Sequence, residues 1–229
     1  GNIIEPGLSR SVYFNGVNDH KRVELGDFGN QQVFTIAMWI KPGATQNQYA
    51  DILDCNHGGE YNWVFQRELN GTEWGWGYTG NTFTLTPNIW QHLAVTADNG
   101  LLRTYVNGIL VREVTRPLFN YDYIPEQILY LGSMVYLSSR CFNGWIDDLH
   151  ISTSVRYTGN FNPYLFVPPD SNTYGYWTFN EESGSVCYDI SDAHNNAQIV
   201  GNVQRSADVP YTSTHTLTLS QTSGSLNAN

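Results

Sequence analysis

Charged residues are scarce in this sequence, and basic residues are the scarcer kind. Lys and Arg total 11 against 21 Asp and Glu, so the formal net charge of the 229 residues is −10. Nucleic acids and anionic membrane surfaces are poor partners for such a chain, because binding a polyanion requires clustered cations. Spare carboxylates suit divalent cations better, and calcium best, since it prefers oxygen ligands.

Cysteines and long apolar runs are also lacking. The three cysteines, Cys55, Cys141 and Cys187, include no pair at the Cys-any-any-Cys spacing that indicates zinc. One disulfide with one thiol, or three thiols, would fit this count. No apolar stretch reaches membrane-spanning length, so we expect no membrane insertion, and no signal peptide is recognisable. The opening Gly1 and the Ser/Thr-rich end favour a piece of a longer polypeptide.

Helical periodicity is nearly absent, because no stretch combines a cap, an apolar stripe and a stop signal. Short strand patterns punctuated by Gly, Asn and Pro take its place. In the clearest one, Asn107-Gly108 separates the apolar-rich flanks Leu102 to Val106 and Ile109 to Val114, which predicts a type I′ hairpin. The whole pattern predicts an all-β fold, a two-sheet antiparallel β-sandwich of the jelly-roll kind.

Several segments, in this order, resemble the laminin-G-like jelly-roll family of concanavalin A-like lectin/glucanase folds. They are SVYFNGVN (11–18), FTIAMWIKP (34–42), WQHLAVTADNGLLRTYVNGILV (90–111), FNGWIDDLHIS (142–152), VRYTGNFNP (155–163) and YWTFNEESGSVCYDISDAHNNAQIVG (176–201). The last segment usually opens such domains. Its position here implies either a circularly permuted strand order or a second domain cut short. We favour permutation, because few residues follow it and a sheet edge would otherwise stay open.

The domain organisation follows from this resemblance and from composition. We expect one laminin-G-like β-sandwich over residues 1–211. Residues 212–229 would form a C-terminal spacer or the start of a following domain, although Thr214 to Ser220 alternates like a strand. The stretch from Arg156 to Asn172 should lie over the sandwich as an ordered connection, since its aromatic residues favour burial.

The same fold hosts retaining glucanases, so catalysis has to be considered. That chemistry needs two carboxylates about 5 Å apart in one cleft, and the family's Glu-any-Asp-any-any-Glu pattern is absent. The spacing of Asp51 and Asp54 predicts opposite faces of a strand, as does that of Asp147 and Asp148. No Gly-any-Ser-any-Gly motif offers a nucleophile. We therefore expect no enzymatic activity.

The resemblance also implies a structural calcium ion, held where the Ile-Asp-Asp strand meets the Phe-Asn-Glu segment. By match to the family, Asp147 would be the side-chain ligand, with Asn180, Glu181 and Gly184 as partners, some through backbone carbonyls. The alternative is that Asp147 caps a turn or accepts backbone N–H bonds. A second polar cluster is more typical of a solvated turn-rich loop: Asp189, Asp192, Asn195 and Asn196.

Candidate ligand-binding residues come from an aromatic strand and a polar loop. Trp74, Trp76 and Tyr78 alternate with glycine, so their rings share one face of a strand. An exposed concave face would let them stack on sugar rings, whereas an inward face would make them core residues. One loop rim would add polar partners for a glycan: Tyr49, Asp51, Asp54, Asn56, His57, Glu60 and Tyr61. By match to the family, Trp39 and Trp90 are expected at core positions, whereas Trp145 and Trp177 are expected to pack beside the strands of the proposed calcium site.

These features favour a non-catalytic carbohydrate-binding or adhesion module of a larger extracellular protein, such as a bacterial surface protein or a phage fibre. The partners would be a glycan or cell-surface polysaccharide and neighbouring domains of the same polypeptide. The expected location is extracellular, at a cell surface or in a virion fibre. One alternative is a structural or protein-interaction spacer without sugar affinity. A divergent glycoside hydrolase or polysaccharide lyase is the less favoured one.

Overall fold

The computed structural model describes residues 9–17, 22–29, 31–54, 65–67, 73–76, 82–115, 128–133, 138–164 and 167–210. Within these ranges the regular structure is β-strand, apart from one 3-10 turn at Ser138–Arg140. The strands are β1 (Ser11–Asn15), β2 (Arg22–Asp27), β3 (Val33–Pro42), β4 (Asp51–Asp54), β5 (Phe65–Arg67), β6 (Trp74–Trp76), β7 (Thr82–Phe83), β8 (Gln91–Asp98), β9 (Leu101–Val106), β10 (Ile109–Thr115), β11 (Ile128–Leu131), β12 (Asn143–Ser152), β13 (Thr173–Trp177), β14 (Val186–Cys187), β15 (Ala197–Val200) and β16 (Gln204–Ser206). No helix long and apolar enough to cross a membrane occurs in these ranges.

The strands form two antiparallel sheets, which confirms the predicted all-β sandwich. Sheet A has the order β10-β9-β8-β3-β12-β1-β16, and β13 pairs with the second half of β12. Sheet B has the order β14-β15-β2-β11-β4-β5-β6-β7. One large apolar cluster draws residues from both sheets and fills the space between them.

Alternation along the central strand β3 explains how sheet A presents two different faces. Phe34, Ile36, Met38 and Ile40 belong to the core cluster, and the residues between them lie on the opposite face. We call that opposite face the outer face of sheet A. Burial of each core side chain stabilises the fold by about 1.5–3 kcal/mol, so the register of β3 is strongly fixed.

The C-terminal part of the described chain completes both sheets. Strand β13 pairs with β12, β15 pairs with β2, and β16 pairs with β1. Trp177 on β13 is fully buried in the core cluster, as expected. The boundary after residue 211 stays a prediction, because the residues beyond it lie outside the described ranges.

The predicted Asn-Gly hairpin between β9 and β10 is confirmed. Asn107 and Gly108 both have positive φ, at 51° and 75°, as a type I′ turn requires. Glycine is needed at 108 for a second reason, because a Cβ there would lie 2.0 Å from the carbonyl oxygen of Phe161.

Asp189 holds the segment after β14 against β13. Its carboxylate is buried and accepts hydrogen bonds from the backbone N–H groups of Tyr176, Ser191 and Asn195 and from the Ser191 hydroxyl, at 2.8–2.9 Å. The interpretation of this region as a solvated loop is therefore wrong for Asp189, whereas Asp192 is exposed. The four hydrogen bonds that Asp189 accepts account for the difference.

We expect Asp189→Ala to lower the free energy of unfolding by about 3 kcal/mol, because it leaves several buried N–H groups unpaired. Asp192→Ala is the matched control and should change it by less than about 0.5 kcal/mol. Urea denaturation followed by tryptophan fluorescence measures both. Equal effects of the two variants would contradict the structural role of Asp189.

Candidate functional site

The aromatic strand predicted as a ligand platform begins in the core. Trp74 is 3% exposed and belongs to the apolar cluster, where its ring meets Phe142 edge-on at a centroid distance of 5.9 Å. This favours the core interpretation, so a stacking role for Trp74 is corrected. The side chain of Trp76, and Tyr78 altogether, lie outside the described residues.

The predicted polar rim is described only in part. Tyr49 is half-buried, and the Arg140 guanidinium carbon lies 5.0 Å from the centre of its ring. Asp54 is fully buried on β4, opposite Tyr130 of β11, so it does not offer a surface hydrogen bond to a glycan and that prediction is corrected. His57, Glu60 and Tyr61 lie outside the described residues, as does Asn56.

A β-bulge overturns the expectation that Asp51 and Asp54 lie on opposite faces of their strand. Opposite β5, Asp51 pairs with Gln66 and Leu53 with Phe65, so Ile52 is an extra residue. Ile52 and Leu53 both pack into the core, which leaves the two flanking acids on the other face. Burial raises the pKa of Asp51 well above its ordinary value, and the Asp54 charge raises that pKa further.

A second bulge changes the geometry of the paired acids on β12. The register with β3 shifts between Asp147 and His150, and Asp148 takes a positive φ of 47°. Asp147 is buried on the outer face of sheet A, opposite Trp39, and accepts the backbone N–H of Asp148. Burial, together with the Asp148 charge, raises the pKa of Asp147 to about 9, so this side chain is neutral at pH 7.

Two of the residues that the resemblance assigned to calcium, Glu181 and Asn180, already have protein partners. Glu181 accepts the backbone N–H of Tyr188 with one oxygen, and its other oxygen lies 3.0 Å from the Arg205 guanidinium. The side-chain oxygen of Asn180 accepts the N–H of Arg10, and Gly184 is exposed. No group of three His, Cys, Asp or Glu residues in the described ranges could hold a metal.

Arg205 supplies the positive charge at this corner instead. Besides the ion pair with Glu181, its guanidinium donates to the carbonyl oxygens of Val186 at 3.0 Å and Phe179 at 3.5 Å. A carboxylate and two carbonyls are the oxygen types that calcium would use. Calcium at Asp147, Asn180, Glu181 and Gly184 stays a prediction, and the Arg205 guanidinium already interacts with the Glu181 carboxylate and with two of the nearby carbonyls.

Arg205→Gln should lower the free energy of unfolding by about 3 kcal/mol, since it leaves the Glu181 charge unpaired in a largely buried position. Arg103→Gln removes a more exposed ion pair with Glu113 and should cost less than about 1 kcal/mol. Chemical denaturation of both variants measures the two losses in the free energy of unfolding. An Arg205 variant as stable as the wild type would refute the role of Arg205.

The outer face of sheet A carries a row of aromatic side chains. Neighbouring positions of β1 and β12 bring the rings of Tyr13 and Trp145 to 4.7 Å, and both are partly buried. On β3, Trp39 is 5% exposed and contacts the ring of Tyr164 at 5.1 Å. Tyr164 itself is 72% exposed. We call Tyr13, Trp145, Trp39 and Tyr164 the aromatic row.

Polar groups accompany the aromatic row. Lys41 pairs with Trp145 across the strands, and its ammonium lies 4.8 Å from the centre of the indole ring. The Asp208 carboxylate accepts from Lys41 at 2.5 Å and from the Trp90 indole N–H at 2.8 Å. Rings with neighbouring charged hydrogen-bonding groups suit a ligand that has both apolar and hydroxylated faces.

The connection from Arg156 to Asn172 covers the other end of the outer face, as predicted. The rings of Tyr157 and Phe161 stack at 3.6 Å and pack on Tyr105, Ala37 and Ala94. The Tyr105 hydroxyl donates to the Tyr157 carbonyl oxygen. Tyr164 departs from the predicted burial, because its ring is 72% exposed and contacts Trp39 on the outer face.

His92 lies beneath this connection, between the rings of Trp39 and Phe161. Burial lowers its pKa from 6.5 to about 4. In the unfolded chain it gains a proton as the pH falls below 6.5, while in the folded protein it stays neutral until about pH 4. Its contribution to stability is therefore complete above pH 6.5 and is lost between these two values.

We expect His92→Gln to reduce the fall in stability between pH 7 and pH 4.5 by about 2 kcal/mol. His194→Gln, at an exposed position, is the control and should leave the fall unchanged. Denaturation at several pH values tests this. A His92 variant with the wild-type pH profile would contradict it.

Sequence reasoning missed the aromatic row because both faces of β3 are apolar. Trp39 and Trp90 were expected inside the sandwich, yet they lie on the outer face of sheet A, as Trp145 does. Strict alternation from Ile40 would have placed Trp39 and Lys41 together on the face opposite the core. No local sequence pattern indicated that the connection after β12 would leave one end of this face uncovered.

Known proteins share this architecture. Residues 14–160 match the concanavalin A-like lectin/glucanases superfamily. A Bacteroides ovatus protein, provisionally named as carbohydrate-binding, has a TM-score of 0.67 at 16% identity, over 87% of this chain and 60% of its own length. A SAP-like pentraxin from Limulus polyphemus gives 0.49 at 13% identity, over 67% and 80%. Ruminococcus gnavus IT-sialidase CBM40 gives 0.42 at 18%, over 56% and 79%.

The structural likeness at such low identity shows a shared fold, and the two weaker scores add nothing to it. No curated protein matches the sequence. The family match spans more than half of the chain, and the two-sheet sandwich is the fold that the resemblance predicted. The chain belongs to the concanavalin A-like lectin/glucanases superfamily.

Proposed function

We propose that the protein is a non-catalytic carbohydrate-binding module whose ligand face is the outer face of sheet A. The observation that carries this proposal is the aromatic row with its highly exposed member, Tyr164. Pyranose rings have apolar C–H faces that pack on aromatic rings, while their hydroxyls need hydrogen-bonding partners at the rim. Lys41 and Asp208 supply both donor and acceptor groups next to Trp145.

Binding without cleavage is supported by the burial of the described acid pairs. Glycoside hydrolysis needs two carboxylates that both reach the bound sugar. Asp51, Asp54 and Asp147 are each buried, so neither pair offers two accessible carboxylates. The provisional name of the Bacteroides ovatus protein also supports carbohydrate binding.

The wider setting forms part of the same proposal. An adhesion role in a larger extracellular, cell-surface or virion-fibre protein would use a glycan or cell-surface polysaccharide as the partner. The net charge of −10 favours neutral or cationic polysaccharides over strongly anionic ones, because like charges repel.

Glycan-array screening of the full chain, followed by calorimetry on the best ligand, tests the proposal. Tyr164→Ala and Trp145→Ala should each weaken binding roughly tenfold, about 1.4 kcal/mol. Tyr188→Ala is the matched control, since Tyr188 is 58% exposed and lies away from this face, next to β14 of sheet B.

Two outcomes would count against the proposal. An array without binding would support the spacer interpretation, in which the domain has no sugar affinity. Binding that falls with Tyr188→Ala but not with the two variants of the aromatic row would move the ligand away from sheet A.

A further inference from the structure

The outer face of sheet A carries cationic side chains that are each paired with a carboxylate. The pairs, with their nitrogen–oxygen distances, are Lys41 with Asp208 (2.5 Å), Arg103 with Glu113 (2.7 Å) and Arg156 with Asp170 (2.5 Å). Alternation along β3 places Lys41 on this face, and register with β8 and β3 places Arg103 there. Arg156 donates to the hydroxyl of Ser152, an outer residue of β12. These three ion pairs add no net charge to the face.

The histidines of the same face add no positive charge at pH 7. His92 and His150 are both buried, and burial lowers the pKa of each to about 4. The Nε2 atom of His150 lies 3.2 Å from the Thr173 hydroxyl and 3.4 Å from the Ser152 hydroxyl, which can both donate to a neutral ring. A negatively charged ligand therefore meets no unpaired cation among these side chains.

The ion pair at the aromatic row is held in place by the segment after β16. The Asp208 carboxylate accepts the Trp90 indole N–H at 2.8 Å with Oδ1 and the Lys41 ammonium with Oδ2. The backbone N–H of Asp208 donates to the Ser206 hydroxyl at 3.1 Å, and its carbonyl oxygen accepts the Ser11 hydroxyl at 2.6 Å. These hydrogen bonds fix the Asp208 carboxylate beside the ammonium.

This ion pair determines the charge that a ligand meets at Trp145. The Lys41 ammonium lies 4.8 Å from the centre of the Trp145 ring. An acidic group of a sugar packed on this ring would approach the ammonium and the Asp208 carboxylate together. The attraction and the repulsion then largely cancel, while the acidic group still loses part of its hydration. Asp208 is itself occupied by Lys41 and Trp90, so it offers no free anion to an amino sugar.

We propose that the ligand of the aromatic row is an uncharged glycan, and that Asp208 sets this specificity by neutralising Lys41. The inference rests on the proposed function, since it names the class of sugar that the same face binds. An uncharged sugar needs apolar surface for its ring and hydrogen-bonding partners for its hydroxyls. An acidic sugar would find the same rings without a free cation, and it would therefore bind less tightly.

Asp208→Asn tests this specificity, because it removes the charge and keeps the shape of the side chain. The amide oxygen can still accept the Trp90 N–H, while Lys41 loses its counter-charge. The probes are the best uncharged ligand of the glycan array and the same oligosaccharide with its primary hydroxyls oxidised to carboxylates. The variant should raise the affinity for the oxidised probe, relative to the uncharged one, about tenfold in calorimetry at low salt. About 0.5 M NaCl should remove most of this gain.

Glu113→Gln is the matched control, since it frees the cation of another ion pair on the same face. Arg103 is level with Thr35 through the register of β9, β8 and β3. Thr35 and Lys41 are six residues apart on β3, which is about 20 Å. The control should therefore leave the ratio of the two affinities unchanged. The double variant Asp208→Asn/Lys41→Gln should lose the gain, because it has no ammonium beside Trp145.

The outcomes separate this inference from the proposed function. An array without any binding would refute both. Wild-type binding that prefers acidic or amino sugars would overturn the uncharged-glycan inference alone, as would an equal gain in Asp208→Asn and Glu113→Gln. The readout compares two ligands on one variant, so a general loss of stability in Asp208→Asn does not imitate the expected change.

Discussion

The two-residue alternation of the central strands of sheet A is the constraint on which the rest of the structure depends. Phe34, Ile36, Met38 and Ile40 commit one face of β3 to the core, so the side chains between them must lie on the other face. Its neighbours β8 and β12 pair with β3 along most of its length and repeat the pattern. The outer face carries several large aromatic rings. Because these rings are apolar, part of this face is covered, and the connection after β12 covers one end of it.

Two β-bulges decide where the acids lie. Regular alternation would separate Asp51 from Asp54 and Asp147 from Asp148, but each pair falls at a shift in register. The extra residue turns the strand and redirects the side chain that follows. As a result, each bulged strand holds at least one carboxylate that is out of water, with its pKa displaced upward. The burial of Asp51 and Asp147, and the upward shift of their pKa values, therefore come from the β-bulges rather than from the residue type.

The parts of the fold that depend on local pattern could be predicted from the sequence. Alternation and turn residues gave the strands, and Asn107-Gly108 gave the hairpin, because these signals act over a few residues. The site residues depended on distant partners. Arg205 is 24 positions from Glu181, and only the pairing of β16 with β1 brings it there. Strand β3 has apolar residues on both faces, so residue type did not indicate the side of Trp39, and only strict alternation from Ile40 would have done so. The predictions for His57, Glu60, Tyr61 and Tyr78 remain untested.

Arg205 also bears on how this domain would respond to its surroundings. An ion held by a carboxylate and carbonyls is exchanged with the medium, and its occupancy follows the concentration outside. A guanidinium that is covalently part of the chain cannot dissociate, so the corner built by Glu181, Phe179 and Val186 keeps its shape in calcium-poor water. The contacts of Arg205 at this corner therefore need no ion from the medium, but they do need the pairing of β16 with β1.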